Sequence, residues 1–238
     1  MAIALASSGA QTTPDVSVTI SATISVDNYL VAAYVSDGLS TGSPSYGSPL
    51  VEITKVQTSA DNQMAYYASG KATAGASSIT SSSFPDANVG ALGAFSGVDT
   101  STSFDVTFSS GSHQASTNAN VSSTSTLTIT TATAGAMVVA MYGWDDGTTD
   151  PTITIDDGGA GLSWSHVTAY QSGGFRKCGF FYALAPTAGA LSVFLNGSPA
   201  GGYSLIVIAL RPASGGGGGG GGPTDAPITC CFPTGYYE

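Results

Sequence analysis

Ser17-Val-Thr-Ile-Ser-Ala-Thr-Ile-Ser-Val-Asp-Asn-Tyr-Leu-Val-Ala-Ala-Tyr-Val-Ser-Asp-Gly38 lines up with Thr126-Leu-Thr-Ile-Thr-Thr-Ala-Thr-Ala-Gly-Ala-Met-Val-Val-Ala-Met-Tyr-Gly-Trp-Asp-Asp-Gly147. Each stretch opens with apolar and hydroxyl residues alternating at a period of two, the pattern of a strand with one buried face. After a turn it runs continuously apolar, as a strand buried on both faces does. It closes on Asp-Gly, a step that tolerates the positive φ of a tight turn. Residues 65–76 and 180–190 repeat in the same order, as do residues 88–98 and 201–212. No segment carries helical periodicity with caps. The expected fold is therefore all-β: a jelly-roll-like β sandwich with an internal pseudo-repeat, plus a flexible Gly-rich C-terminal extension.

Residues 1–14 read as an N-terminal arm and residues 15–213 as the sandwich, in two similar halves of about 15–108 and 125–213. One pseudo-symmetric sandwich is expected rather than two separate ones, because the joining segment has no linker composition beyond its Ser and Asn. Residues 214–222 form an oligoglycine linker and residues 223–238 a C-terminal anchor peptide.

Charged residues make up only 8% of the 238 residues, against a usual share of about 25%. Ser, Thr, Asn and Gly must therefore keep the chain in solution. Fifteen acidic against five basic residues give a net charge of -10, which repels a phosphate backbone and excludes nucleic acid as a partner. The first ten residues lack the basic and apolar regions of a secretory signal. The most apolar windows, 136–142 and 204–210, fall well short of the roughly 20 residues that span a bilayer, so no membrane partner is expected. Cys178, Cys230 and Cys231 are too few for a disulfide framework and lack zinc-site spacing.

Candidate chemistry is thin. His113 and His166 are the only neutral-pH bases, and neither sits in a GxSxG or HExxH pattern. The only glutamate in the body is Glu52, so a glycosidase carboxylate pair has little to draw on. No catalytic residue is assigned and the chain is expected not to be an enzyme. Asp145, Asp146, Asp150, Asp156 and Asp157 could supply the hard oxygen ligands of calcium, the one cofactor the sequence offers. They lack EF-hand spacing, and the preferred reading is that their Asp-Gly steps end strands. Trp144, Trp164, Tyr170 and Phe175 are candidates for a sugar-stacking platform, with core or interface packing the favoured alternative.

Gly215 to Gly222 are eight consecutive glycines, a tether with a root-mean-square reach of roughly 16 Å and a full extension of roughly 28 Å. Beyond it, Phe232, Tyr236 and Tyr237 are suited to docking into a groove on a neighbour. Cys230 and Cys231 beside them either cross-link symmetry mates or stay reduced and buried.

Ala94-Phe-Ser-Gly-Val-Asp-Thr-Ser-Thr-Ser-Phe-Asp105, then Thr126 to Tyr142, then Ile208-Ala-Leu-Arg-Pro212 carry a resemblance. Over about residues 15–213 the chain resembles a β-sandwich module found in tailed-phage virion proteins and in some bacterial surface proteins. The resemblance implies a structural virion protein with no catalytic residues, either a capsid decoration or cement subunit or a tail or fibre subunit. So few charges leave a surface on which protein contact costs little desolvation, which predicts a homo-oligomer, expected to be a trimer, touching the major capsid or tail proteins and assembled into the virion in the host cytoplasm. The alternative is an adhesive or carbohydrate-binding module at the cell surface.

Overall fold

The computed structural model describes residues 1–36, 42–57, 64–86, 88–105, 113–114, 126–145, 150–171, 176–198 and 202–214. Among them there is no helix, and the strands pair antiparallel throughout. The first half supplies β1 (Ala4–Asp15), β2 (Val18–Ile24), β3 (Tyr29–Ser36), β4 (Val51–Gln57), β5 (Met64–Lys71), β6 (Ala76–Ser81) and β7 (Asn88–Ser96). The second supplies β8 (His113–Gln114), β9 (Leu127–Thr131), β10 (Ala136–Asp145), β11 (Thr152–Asp156), β12 (Ser165–Gln171), β13 (Arg176–Ala185), β14 (Gly189–Ser198) and β15 (Gly202–Leu210).

The two five-stranded sheets have the same strand order. β1-β7-β3-β5-β4 in the first half corresponds strand for strand to β8-β15-β10-β13-β12 in the second. The small sheet β2-β6 likewise corresponds to β9-β14, to which the second half adds β11. In the first half, among the described residues, an isolated bridge joins Ser45 to Ser82, just past the end of β6. Residues 1–14 are therefore not an arm. They form most of β1, an edge strand along β7, where Pro14 is tolerated because an edge strand has one side free of ladder bonds.

Three apolar cores separate these sheets into four layers. Leu30, Ala32 and Tyr34 of β3 face Val18, Ile20 and Ile79 of the outer sheet β2-β6. On the opposite face of β3, Val31, Ala33 and Val35 share a central core with Met137, Val139 and Met141 of β10. The other face of β10 (Val138, Ala140, Tyr142 and Trp144) packs on Leu127, Ile129, Val193 and Leu195. The sheets of the two halves stack as four layers. Each half keeps its own outer core, and the two join through a third, because β3 and β10 are apolar on both faces.

The correspondence also differs by one residue from the sequence alignment. That alignment sets Leu30 against Val139, yet Leu30 faces the outer core and Val139 the central one. The spatial equivalent of Leu30 is Val138, and that of Tyr34 is Tyr142. A slip of one residue exchanges the faces of a strand, and a strand apolar on both sides hides it.

Polar bonds cross the central core as well. Tyr67 on β5 reaches Ser204 on β15, and the Cys178 thiol donates to the Ala33 carbonyl oxygen at 3.3 Å. The segment after β7 runs beside the end of β15, with Asp99 and Arg211 bonded through Asp99 N–H to Arg211 O at 2.9 Å and Arg211 N–H to Ser103 O at 2.8 Å. There the buried Asp105 carboxylate accepts the Ala132 and Thr133 amides at 2.6 and 3.0 Å and lies 3.7 Å from Arg211 Nε. The Met1 ammonium donates to the Ala213 carbonyl oxygen at 3.1 Å, so both ends of the described body lie together.

Candidate functional site

Of the five aspartates, Asp150, Asp156 and Asp157 have described side chains, and each is engaged separately. Asp150 precedes β11 and Asp156 ends it, so Pro151 and four strand residues separate the two, about 20 Å along the chain. Asp150 pairs with Lys177 Nζ at 2.8 Å, and the same ammonium donates to the Pro151 carbonyl oxygen at 2.8 Å. Asp156 accepts the Gly158 amide at 2.8 Å. Asp145 is the last residue of β10, while its side chain and Asp146 lie outside the described residues. Among the described residues no group of three or more His, Cys, Asp or Glu is placed to hold a metal ion.

Asp157 organises the loop that follows β11. Its carboxylate accepts the amides of Gly159, Gly161 and Leu162 at 3.2, 3.3 and 2.7 Å and the Trp164 indole N–H at 3.3 Å. Slight burial would raise its pKa, but the bonds from Leu162, Gly161, Trp164 and Gly159 outweigh that and hold the carboxyl below its ordinary value. Gly158, Gly159 and Gly161 all have positive φ, which lets the backbone curl around a single side chain. The Asp-Gly-Gly signal is a turn-forming one.

His166 on β12 is the described histidine with a defined side-chain environment. Its ring stacks on Phe181 with centroids 4.0 Å apart and planes 9° from parallel. Nε2 lies 2.7 Å from the Tyr142 hydroxyl, which lies 2.9 Å from Thr168 Oγ1, which in turn donates to the Cys178 carbonyl oxygen at 3.2 Å. A carbonyl only accepts, so Thr168 donates to it; when that bond takes the one Thr168 proton, Tyr142 donates to Thr168 and the Nε2–H tautomer of His166 donates to Tyr142. Burial, with the Lys177 charge adding to it, pushes His166 down to about 4, and burial pushes the Tyr142 phenol well above its ordinary value. The lowered pKa leaves the His166 ring neutral near pH 7. His113 lies in the two-residue strand β8, and its side chain is outside the described set.

The aromatic candidates are dispersed. Trp144 is fully buried, stacked on Tyr203 at 5.5 Å and 10°, so it belongs to the outer core and not to a surface platform. Its ring lies against the Gly197 backbone, where an added Cβ would sit 2.0 Å from it. Trp164 is half-buried on the Asp157 loop, and the Tyr170 ring lies under Lys177 Nζ at 5.8 Å. Phe175 lies outside the described residues, as do Cys230, Cys231, Phe232, Tyr236 and Tyr237.

A groove of about 490 Å³ opens where the central core reaches the surface. It is lined by Ile3, just before β1, and Leu5 of β1, by Met137, Tyr182 and Leu184, and by Leu162 of the Asp157 loop. No charged side chain lines it. Leu184 continues the central-core face of β13 beyond the facing sheet and is left 42% exposed. Sequence reasoning missed this groove because it draws on both halves and on residues read as an arm. The alternation of Ile3 and Leu5 with alanines was its one local signal.

Comparison with protein-family models, with curated proteins and with solved structures finds no match for this chain, so its function is argued from these residues alone.

Proposed function

We propose that this chain is a structural subunit that works by packing and docking, not by catalysis, and that its assembly is the virion of a tailed phage. It serves there as a capsid decoration or cement subunit or as a tail or fibre subunit. It self-associates, and residues 223–238 dock on a neighbour. The observation that carries this reading is where the Tyr142 relay ends: His166, Tyr142 and Thr168 lie in series at hydrogen-bond distance and finish on a backbone carbonyl, the Cys178 oxygen. The polar groups that might have done chemistry are spent on holding the fold. Asp157 gathers a loop, Asp105 ties a turn to the segment between the halves, and Lys177 bonds Asp150 and Pro151. Three apolar cores in 173 described residues supply a stiff body of the kind an assembly needs.

Each half is read as jelly-roll-like. Support comes from β2 and β3, β5 and β6, and β6 and β7, successive strands that lie in opposite sheets. Antibody against this chain, applied to particles purified from the cells that make it, is expected to label head or tail at regular positions. Label confined to the cell envelope, with bare particles, overturns the proposal in favour of a surface adhesin.

A further inference from the structure

The geometry points to the uncharged groove between β1, β13 and the Asp157 loop as the seat of residues 223–238 of this same chain type. This rests on the docking role given to that peptide above and names the surface it uses. Three observations converge. The groove continues the central core: Leu5 and Tyr182 pack against the central cluster from its rim, and Leu184 extends the same face and is 42% exposed among the described residues. Its volume, about 490 Å³, is on the scale of sites that bury ligand-sized groups. Its lining of aliphatic, aromatic and serine side chains suits Phe232, Tyr236 and Tyr237, since a tyrosine buries its ring and still finds a hydroxyl partner.

Reach is the third. The last described residues leave the body beside Met1, through the Met1 ammonium to Ala213 bond, and Ile3 and Leu5 of the groove follow immediately in sequence. From there eight glycines span roughly 16 Å root-mean-square, so a peptide on that tether meets the groove at high effective concentration. In the assembly a neighbouring copy presents the identical groove, and a closed ring of copies lets every peptide find one.

The peptide carries its own probes, Cys230 and Cys231, while Cys178 is buried in the core. In the full-length chain, Leu184→Cys places a thiol at the groove and Val51→Cys places one at a 68% exposed position on β4 of the first half. Both sites are solvent-facing, so both variants keep the core intact. Under mild oxidation Leu184→Cys is expected to form a disulfide with Cys230 or Cys231, mapped by mass spectrometry, roughly tenfold faster or more than Val51→Cys. Equal rates at the two positions, or no disulfide at Leu184→Cys, overturn the assignment. A second variant, Leu184→Glu, is expected to make residues 223–238 at least severalfold more sensitive to protease. If it instead changes the native mass while leaving their cleavage unchanged, the groove is a body-to-body contact and the assignment fails. Particles that lose the subunit when residues 215–238 are deleted, yet show no groove disulfide, would leave the docking role standing and refute only its seat.

Discussion

The Tyr67 hydroxyl lies 2.6 Å from Ser204 Oγ and 3.1 Å from the Ser204 carbonyl oxygen, joining β5 of the first half to β15 of the second across the central core. Burial raises the phenol far above its ordinary pKa, so it stays a donor at every working pH. Tyr67→Phe deletes this link and leaves a buried serine hydroxyl short of a partner, at a cost of about 1–3 kcal/mol. Urea unfolding is expected to shift to a lower midpoint with an unchanged slope and to stay a single transition, because the central core couples the halves. Two separate transitions in the parent chain would show that the halves unfold independently.

Two glycines make a controlled comparison. Gly197→Ala would drive a Cβ into the buried Trp144 ring, which Tyr203 stacks against, and should cost about 2–3 kcal/mol. Gly135 has φ of +80° but open space around it, so Gly135→Ala pays only backbone strain, about 1 kcal/mol. Equilibrium unfolding of both variants checks the order. Equal losses would mean that Trp144 is free to move aside.

Stability should fall on mild acidification. Unfolded chains protonate His166 near 6.5, but the folded ring, pushed down to about 4, refuses the proton. Stability is therefore full above pH 6.5, declines as pH drops toward 4 and levels off below it. The outer edge of the ring meets solvent, so screening limits the loss to about 1–2 kcal/mol. His166→Gln is expected to flatten the thermal midpoint between pH 6.5 and 4. Asp157, whose carboxyl is held low, adds its own loss only as pH falls below 3.8.

Asp157→Ala removes the acceptor shared by three amides and one indole. Hydrogen exchange at Gly159, Gly161 and Leu162 is expected to quicken at least tenfold while the β10 amides keep their protection. Unchanged exchange at Leu162 would show that the glycines hold the loop without the carboxylate.

The strands were legible in the sequence wherever burial is one-sided or complete. β2 and β9 alternate, and β3, β10 and β15 run apolar, as their faces require. What an apolar run cannot convey is what covers each face. The same Tyr29 to Val35 pattern suits a strand central to two layers or to four, and it tolerates a one-residue slip unnoticed. β1 escaped notice because its outward and inward residues are all small or polar beyond Leu5, leaving no core signature. Asp157 was readable as a turn former from the two glycines after it. The groove was not, since its walls are separated by more than 150 residues and meet only through the central core.

In each half the sheet begins with a strand that waits for the last strand of that half. Ala4 pairs with Ser96, so β1 finds no ladder until β7 has been synthesised. The first half can then close by itself while still tethered to the ribosome, but its inner face, with Val31, Ala33, Val35 and Phe95, has no cover until Met137, Phe180 and Ile208 arrive. For that interval the nascent chain exposes a flat apolar sheet whose best complement is the second half of any copy. Crowded ribosomes on one message would then favour partner exchange between chains, and the pace of translation through residues 97–210 becomes a determinant of yield.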